Sequence, residues 1–254
     1  MKSLKLQTEQ AYLRYHDIAG SGPPLIFIHG LGCASSCDYP AIAADPALTG
    51  RRMLLVDLLG SGFSDRPTEF DYTIDLHART IVQLVGHLGL DTVDLFGHSM
   101  GGAVAITAAG LLGNRVRRIV LGEPNLEPGG GIFSRRIAEL SEADYLSSGH
   151  DDLIRTFARV DGGIWAASLT VSAPYAVHRG ASSLVAGSSP SWREQLAMMG
   201  MPKTVIFGSA SLPHPDAEQL PRSGVKIDIV QDAGHSMAWE NPAGLAGAIA
   251  RALA

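Results

Sequence analysis

Cysteine is scarce in this chain, with Cys33 and Cys37 the two among 254 residues. Their spacing matches neither a C-x-x-C redox pair nor a zinc-ligand pattern, which excludes a disulfide scaffold and a structural zinc site. Both thiols are expected to be free and packed. Long apolar runs are missing as well: no stretch reaches the roughly 20 residues a membrane-spanning helix needs. The opening Met1-Lys2-Ser3-Leu4-Lys5 runs straight into an alternating strand pattern. It has no apolar core and no small-residue cleavage site, so no export signal is read and a cytoplasmic protein is expected. Basic tracts are absent too. Arg51-Arg52, Arg117-Arg118 and Arg135-Arg136 are pairs in a chain of net charge -5, which has no general attraction for nucleic acid or anionic membrane. There is no glycine-rich phosphate loop and no metal-ligand cluster, so no cofactor and no metal are expected. The partner expected is a small-molecule substrate. No coiled-coil heptad repeats, and no oligomeric state is read.

What the chain does have is apolar residues, 46% of the total, with 18% charged. That is enough for one sizeable buried core. Its apolar runs are short: Leu25–Ile28, Met53–Val56, Val93–Phe96, Ile119–Leu121, Thr204–Phe207 and Ile227–Val230. Nearly continuous apolar strands of this length predict a sheet buried on both faces. Ile74, Ala78, Ile81, Val85 and Leu88 recur at helical spacing between two of them. Alternating strands and helices predict an α/β fold, a mostly parallel central sheet with helices on both faces. An antiparallel hairpin, Leu4–Gln7 with Ala11–Asp17, leads into it. The last helix is expected to begin at Asn241-Pro242, an N-cap followed by a proline at the first helical position.

One interval breaks the alternation. No strand is read between about Pro124 and Met201, and the segment reads as several helices. The expected organisation is a core of residues 1–123 and 202–254 with a small helical cap at 124–201. An insertion at the C-terminal ends of parallel strands lies over the site of an open α/β sheet. Phe133, Trp165 and Trp192, with Phe157 and Tyr175, are the aromatics expected to line a substrate pocket or to pack cap onto core.

Three motifs carry chemistry. Gly97-His98-Ser99-Met100-Gly101 fits G-x-S-x-G where a strand meets a helix, the context that raises a serine hydroxyl on a sharp turn as a nucleophile. The Met100 amide then faces the place where an oxyanion forms. His29-Gly30-Leu31-Gly32 follows the Leu25–Ile28 strand and resembles an H-G-x-x loop, with the Leu31 amide as the second oxyanion donor. His235, in Asp232-Ala233-Gly234-His235, follows the last strand, where an imidazole can take the Ser99 proton and later return it.

With Asp57-Leu58-Leu59-Gly60-Ser61-Gly62-Phe63-Ser64-Asp65 and the Gly234-His235-Ser236…Glu240-Asn241-Pro242 ending, the chain resembles the α/β-hydrolase fold superfamily along nearly its whole length. The resemblance implies a Ser, acid, His order. It also implies an aspartate three residues beyond Gly208, where this chain has Ser211. Glu123, at the end of the Ile119–Gly122 strand, is the preferred replacement. Asp216 is the alternative acid, and a dyad without acid is a third arrangement. The implied activity is a metal-free serine hydrolase that cleaves a carboxylic ester or lactone through an acyl-enzyme on Ser99. The rival readings are a C–C bond hydrolase or thioesterase with the same triad, and a non-catalytic ligand-binding homologue. Dehalogenase and epoxide-hydrolase branches of the family use aspartate as nucleophile, which the serine argues against.

Overall fold

The computed structural model describes residues 1–159 and 163–254. Eight strands form one sheet: β1 (Lys2–Leu6), β2 (Ala11–Ile18), β3 (Ser21–Ile28), β4 (Arg51–Asp57), β5 (Val93–His98), β6 (Val116–Gly122), β7 (Lys203–Gly208) and β8 (Val225–Val230). Their spatial order is β1-β2-β4-β3-β5-β6-β7-β8. β1 pairs with β2, and β2 with β4, antiparallel; every later pairing is parallel. The α/β architecture read from the apolar runs is therefore the one observed.

Side chains alternate across the sheet, as the two-residue strand period requires. Ile26, Ile28, Leu54, Val56, Leu95, Ile119, Leu121 and Val205 join a core on one face, with the helices Ile74–His87 and Met100–Leu112. Leu25, Phe27, Met53, Leu55, Phe96, Val120 and Ile206 join a second core on the other face, under the helix Pro242–Leu253. Asn241 caps that helix, its side-chain oxygen accepting from the Gly244 amide at 2.8 Å. With both faces covered, neither strand face needs polar residues, which is why the runs read as continuously apolar.

Chain direction across the sheet switches between β3 and β5. Open α/β sheets bind ligands at the carboxyl ends of strands beside such a switch. The His29–Gly32 loop leaves β3 there and the Gly97–Gly101 turn leaves β5. From β6 to β7 the described residues form helices and no named strand, including Ile132–Ala138, His150–Phe157, Ile164–Thr170, Pro174–Ala186 and Trp192–Met198. Backbone bonds tie this segment down: Gly62 N–H donates to Val171 O at 2.9 Å and Ala173 N–H to Gly60 O at 2.7 Å.

Of the two free thiols, Cys33 is buried as expected and Cys37 is exposed. His214 caps the helix Pro215–Gln219 by accepting from the Asp216 amide. No helix among the described residues is long and apolar enough to cross a membrane.

Candidate active site

Ser99 sits between β5 and the helix Met100–Leu112 with φ +54° and ψ −118°. A side chain pays a strain penalty in that region, and such strain persists only where the surroundings over-determine it. Here they do. The Ser99 amide donates to Gly122 O at 2.9 Å, and its carbonyl accepts from Gly102 N at 2.9 Å and Asn125 N at 3.2 Å. The turn also needs its glycines: a Cβ at Gly97 would stand 2.2 Å from Gly101 O, and one at Gly101 would stand 2.2 Å from Ile28 O. Met100 is the first residue of the helix, so its amide has no acceptor within the helix.

Glu123 follows β6 and is also at positive φ, +38°. Its Oε2 lies 2.7 Å from His235 Nδ1, and its Oε1 accepts from the Gly208 amide at 2.9 Å. Burial works against ionisation of this carboxyl. The His235 hydrogen bond and charge, the Gly208 amide and a hydrogen bond from Ser211 outweigh it and hold the pKa down at about 2. Ser211, at the position where the family resemblance implied an acid, thus acts on the carboxylate that lies against the imidazole by helping to hold its pKa down. Asp216 is elsewhere. Its Oδ1 pairs with Arg193 at 2.7 Å, because the helix beginning at Pro215 turns it toward Trp192–Met198.

Ser99, His235, Glu123 and Leu31 line one cavity of about 420 Å³, together with Phe133 and Trp165. Phe133, Phe157 and Trp165 form an aromatic wall, their ring centroids 4.7–5.1 Å apart. The Trp165 Nε1–H donates to Leu31 O at 3.1 Å, joining that wall to the loop after β3. Trp192 is not in the cavity. It is 1% exposed in the core, with Nε1–H on Thr107 Oγ1 at 3.2 Å. The capping box of Ser191 and Glu194 starts its helix there, packed on Met100–Leu112. Tyr175 also lies outside, its hydroxyl donating to Arg66 O.

Cys33, Asn125, His214 and Trp239 line the cavity and escaped the sequence reading. Each is single and unpatterned, so no periodicity or motif marks it. Beneath Cys33 and Trp239 lies Asp38, 4% exposed, with Trp239 Nε1–H donating to it at 3.3 Å. Burial pushes its pKa up to about 7; hydrogen bonds from Cys33 and Trp239 pull the other way, and Asp57 adds to the rise. A folded pKa above the unfolded value of 3.8 means that the native chain keeps a proton the unfolded chain has lost. Stability then falls as pH rises from 3.8 to about 7 and is level above. Asp38→Asn is therefore expected to raise the melting midpoint near pH 8 and to leave it nearly unchanged below about pH 4, read by thermal melts at both.

Comparison with known proteins agrees with this architecture. The family model described as alpha/beta hydrolase fold matches residues 23–200, more than half of the chain. The chain belongs to the alpha/beta hydrolase fold family. It is 41% identical to haloalkane dehalogenase 2 of Mycobacterium bovis over 104 residues, 41% of this chain and 35% of that protein. It is 35% identical to 2-hydroxy-6-oxo-2,4-heptadienoate hydrolase of Pseudomonas putida over 107 residues, 42% of this chain and 38% of that protein. The matched part thus spans little more than a third of these relatives. Among solved structures, a thermophilic esterase from Thermogutta terrifontis superposes with TM-score 0.81 at 23% identity, covering 100% of this chain and 98% of that one.

Proposed function

We propose that this protein is a serine hydrolase that cleaves uncharged carboxylic esters or lactones. Ser99 attacks the carbonyl carbon, and its proton passes to His235, which Glu123 orients through Nδ1. The Leu31 and Met100 amides receive the oxyanion. The tetrahedral intermediate expels the alcohol, which takes the proton back from His235. Water, deprotonated by His235, then releases the acid from Ser99. Residues 124–201 act as a helical cap that supplies the apolar wall.

The observation that carries this reading is the convergence of Ser99 at its strained turn and the His235–Glu123 pair on one mostly apolar cavity. The relatives divide over the bond cleaved. A dehalogenase reading needs a carboxylate nucleophile, and residue 99 is a serine. A C–C hydrolase of dienoic acids handles a substrate with its own carboxylate. A buried carboxylate needs a paired charge, and no lysine or arginine lines this cavity among the described residues. An uncharged ester suits such a wall better.

The test is direct. Purified protein is expected to hydrolyse a short-chain p-nitrophenyl ester and to leave a 2-hydroxy-6-oxo-dienoic acid untouched, both followed by absorbance. Turnover of the dienoic acid with no ester hydrolysis would transfer the site to C–C cleavage. Inertness to esters, thioesters and lactones alike would remove the enzyme reading in favour of a binding protein.

A further inference from the structure

His98 precedes the nucleophile in the chain, and the catalytic roles above leave it unused. Its Nε2–H donates to the backbone carbonyl oxygen of His235 at 2.8 Å. The two imidazole rings lie 4.7 Å apart between centroids. We propose that His98 is a positioning residue that fastens the loop of the catalytic base to the turn that carries the nucleophile; this inference rests on the serine-hydrolase reading of the site.

Three observations carry it. His235 follows β8 on a loop, and its side chain is 45% exposed, so packing alone does not hold its ring. Its placement depends on hydrogen bonds, one from its Nδ1–H to Glu123 Oε2 and one at its carbonyl from His98. Glu123 follows β6, a different strand, whereas His98 ends β5 and is the residue next to Ser99. The His98 bond therefore sets the base relative to Ser99 with the fewest intervening rotations.

The second observation is the slot that receives the ring. A Cβ at Gly30 would stand 3.3 Å from His98 Nδ1, and one at Gly122 would stand 3.3 Å from His98 Cδ2. Two glycines, Gly30 in the loop after β3 and Gly122 at the end of β6, thus leave room for an imidazole beside the end of β5. The third is charge. Removal from water and the neighbouring His235 hold the His98 pKa down at about 3, so the ring is neutral wherever the enzyme would work. A carbonyl acceptor at Nε2 also fixes the proton on that nitrogen. His235 takes up a proton in each half-reaction, and a second cation 4.7 Å away would oppose that step. A neutral donor supplies the anchor without the repulsion.

The experiment compares two variants of similar bulk. His98→Leu fills the slot without a donor; His98→Gln fills it and keeps an N–H. Both are measured for ester kcat and KM, for the rate of labelling of Ser99 by a fluorophosphonate, and for melting midpoint. His98→Leu is expected to lower kcat and the labelling rate about tenfold or more with KM changed less than about twofold; His98→Gln is expected to stay within about threefold of wild type in kcat. Equal rates in the two variants would overturn the proposal, since a purely steric role is met by either. So would a loss confined to KM. Should His98→Leu fail to fold, His98→Met removes the donor with an unbranched chain and is read the same way. Wild-type protein inert to both ester and phosphonate would instead overturn the hydrolase reading on which this inference stands.

Discussion

Ser99→Ala is expected to lower ester kcat by about 10⁴-fold or more and to abolish labelling by a fluorophosphonate. With Ser99 as the proposed nucleophile, its removal takes away the acyl-enzyme route entirely. What remains is whatever rate oriented amides give to direct attack by water, and in comparable serine enzymes that residue is a small fraction of the whole. A second replacement separates chemistry from strain. Ser99 holds φ +54°, a cost that alanine shares because it keeps the Cβ. Glycine does not share it. Ser99→Gly is expected to be as inactive as Ser99→Ala but to unfold later, by about 1 kcal/mol, the typical cost of such a backbone conformation. Thermal or urea melts of the two inactive proteins measure the difference. Equal melts would mean that the turn carries no strain, and activity in either variant would move the nucleophile elsewhere.

Glu123→Gln is expected to reduce kcat by about 10³-fold or more, the scale seen when the acid of a triad loses its charge with geometry preserved. Glutamine retains the size of the side chain but no longer stabilises an imidazolium at His235 Nδ1. Asp216→Asn is expected to leave kcat within about twofold, since Asp216 pairs with Arg193 and not with the imidazole. Ser211 provides a rescue. It lies near enough to the Glu123 carboxylate to help hold its pKa down, so Glu123→Gln combined with Ser211→Asp is expected to regain part of the lost rate. The pH dependence of stability follows from the same carboxyl. Its folded pKa of about 2 lies below the ordinary value of 4.5, so its contribution is complete above 4.5 and is lost as pH falls through about 2. The Glu123→Gln protein is expected to show a shallower loss of stability over that interval, measured as melting midpoint against pH.

Much of this was legible in the order of residues. Short, nearly continuous apolar runs separated by a helical pattern predicted a doubly covered parallel sheet, because each strand face must find a buried neighbour. Gly97, Ser99 and Gly101 declared a tight strand-to-helix turn, since side chains at the flanking positions would meet backbone oxygens. The family resemblance also located the histidine after β8. The fate of individual side chains in the helical segment was not legible. Phe133, Trp165 and Trp192 are equally apolar, yet two wall the cavity and the third is sealed in the core. That division depends on which face each short helix turns inward, and a helix of seven residues has too few turns to declare it.

Which carboxylate meets His235, and what else bonds that residue, was decided only in three dimensions. Sequence alone ranked Glu123 above Asp216 but left both available, because either can follow a strand. The register of β6 against β7 decides between them. It sets Gly122 opposite Ile206, brings the Gly208 amide and Ser211 to Glu123, and puts the carboxylate 2.7 Å from His235 Nδ1. The hydrogen bond from His98 to His235 spans 137 positions. No local pattern encodes a contact of that kind, since it exists only when separate strand ends meet along one sheet edge. The amino-acid sequence thus determined the sheet, the turn that carries Ser99 and the loop that carries His235. Tertiary packing decided which carboxylate meets the His235 imidazole and what holds that residue in place, because those contacts depend on strand register and loop placement and on no residue's own propensity.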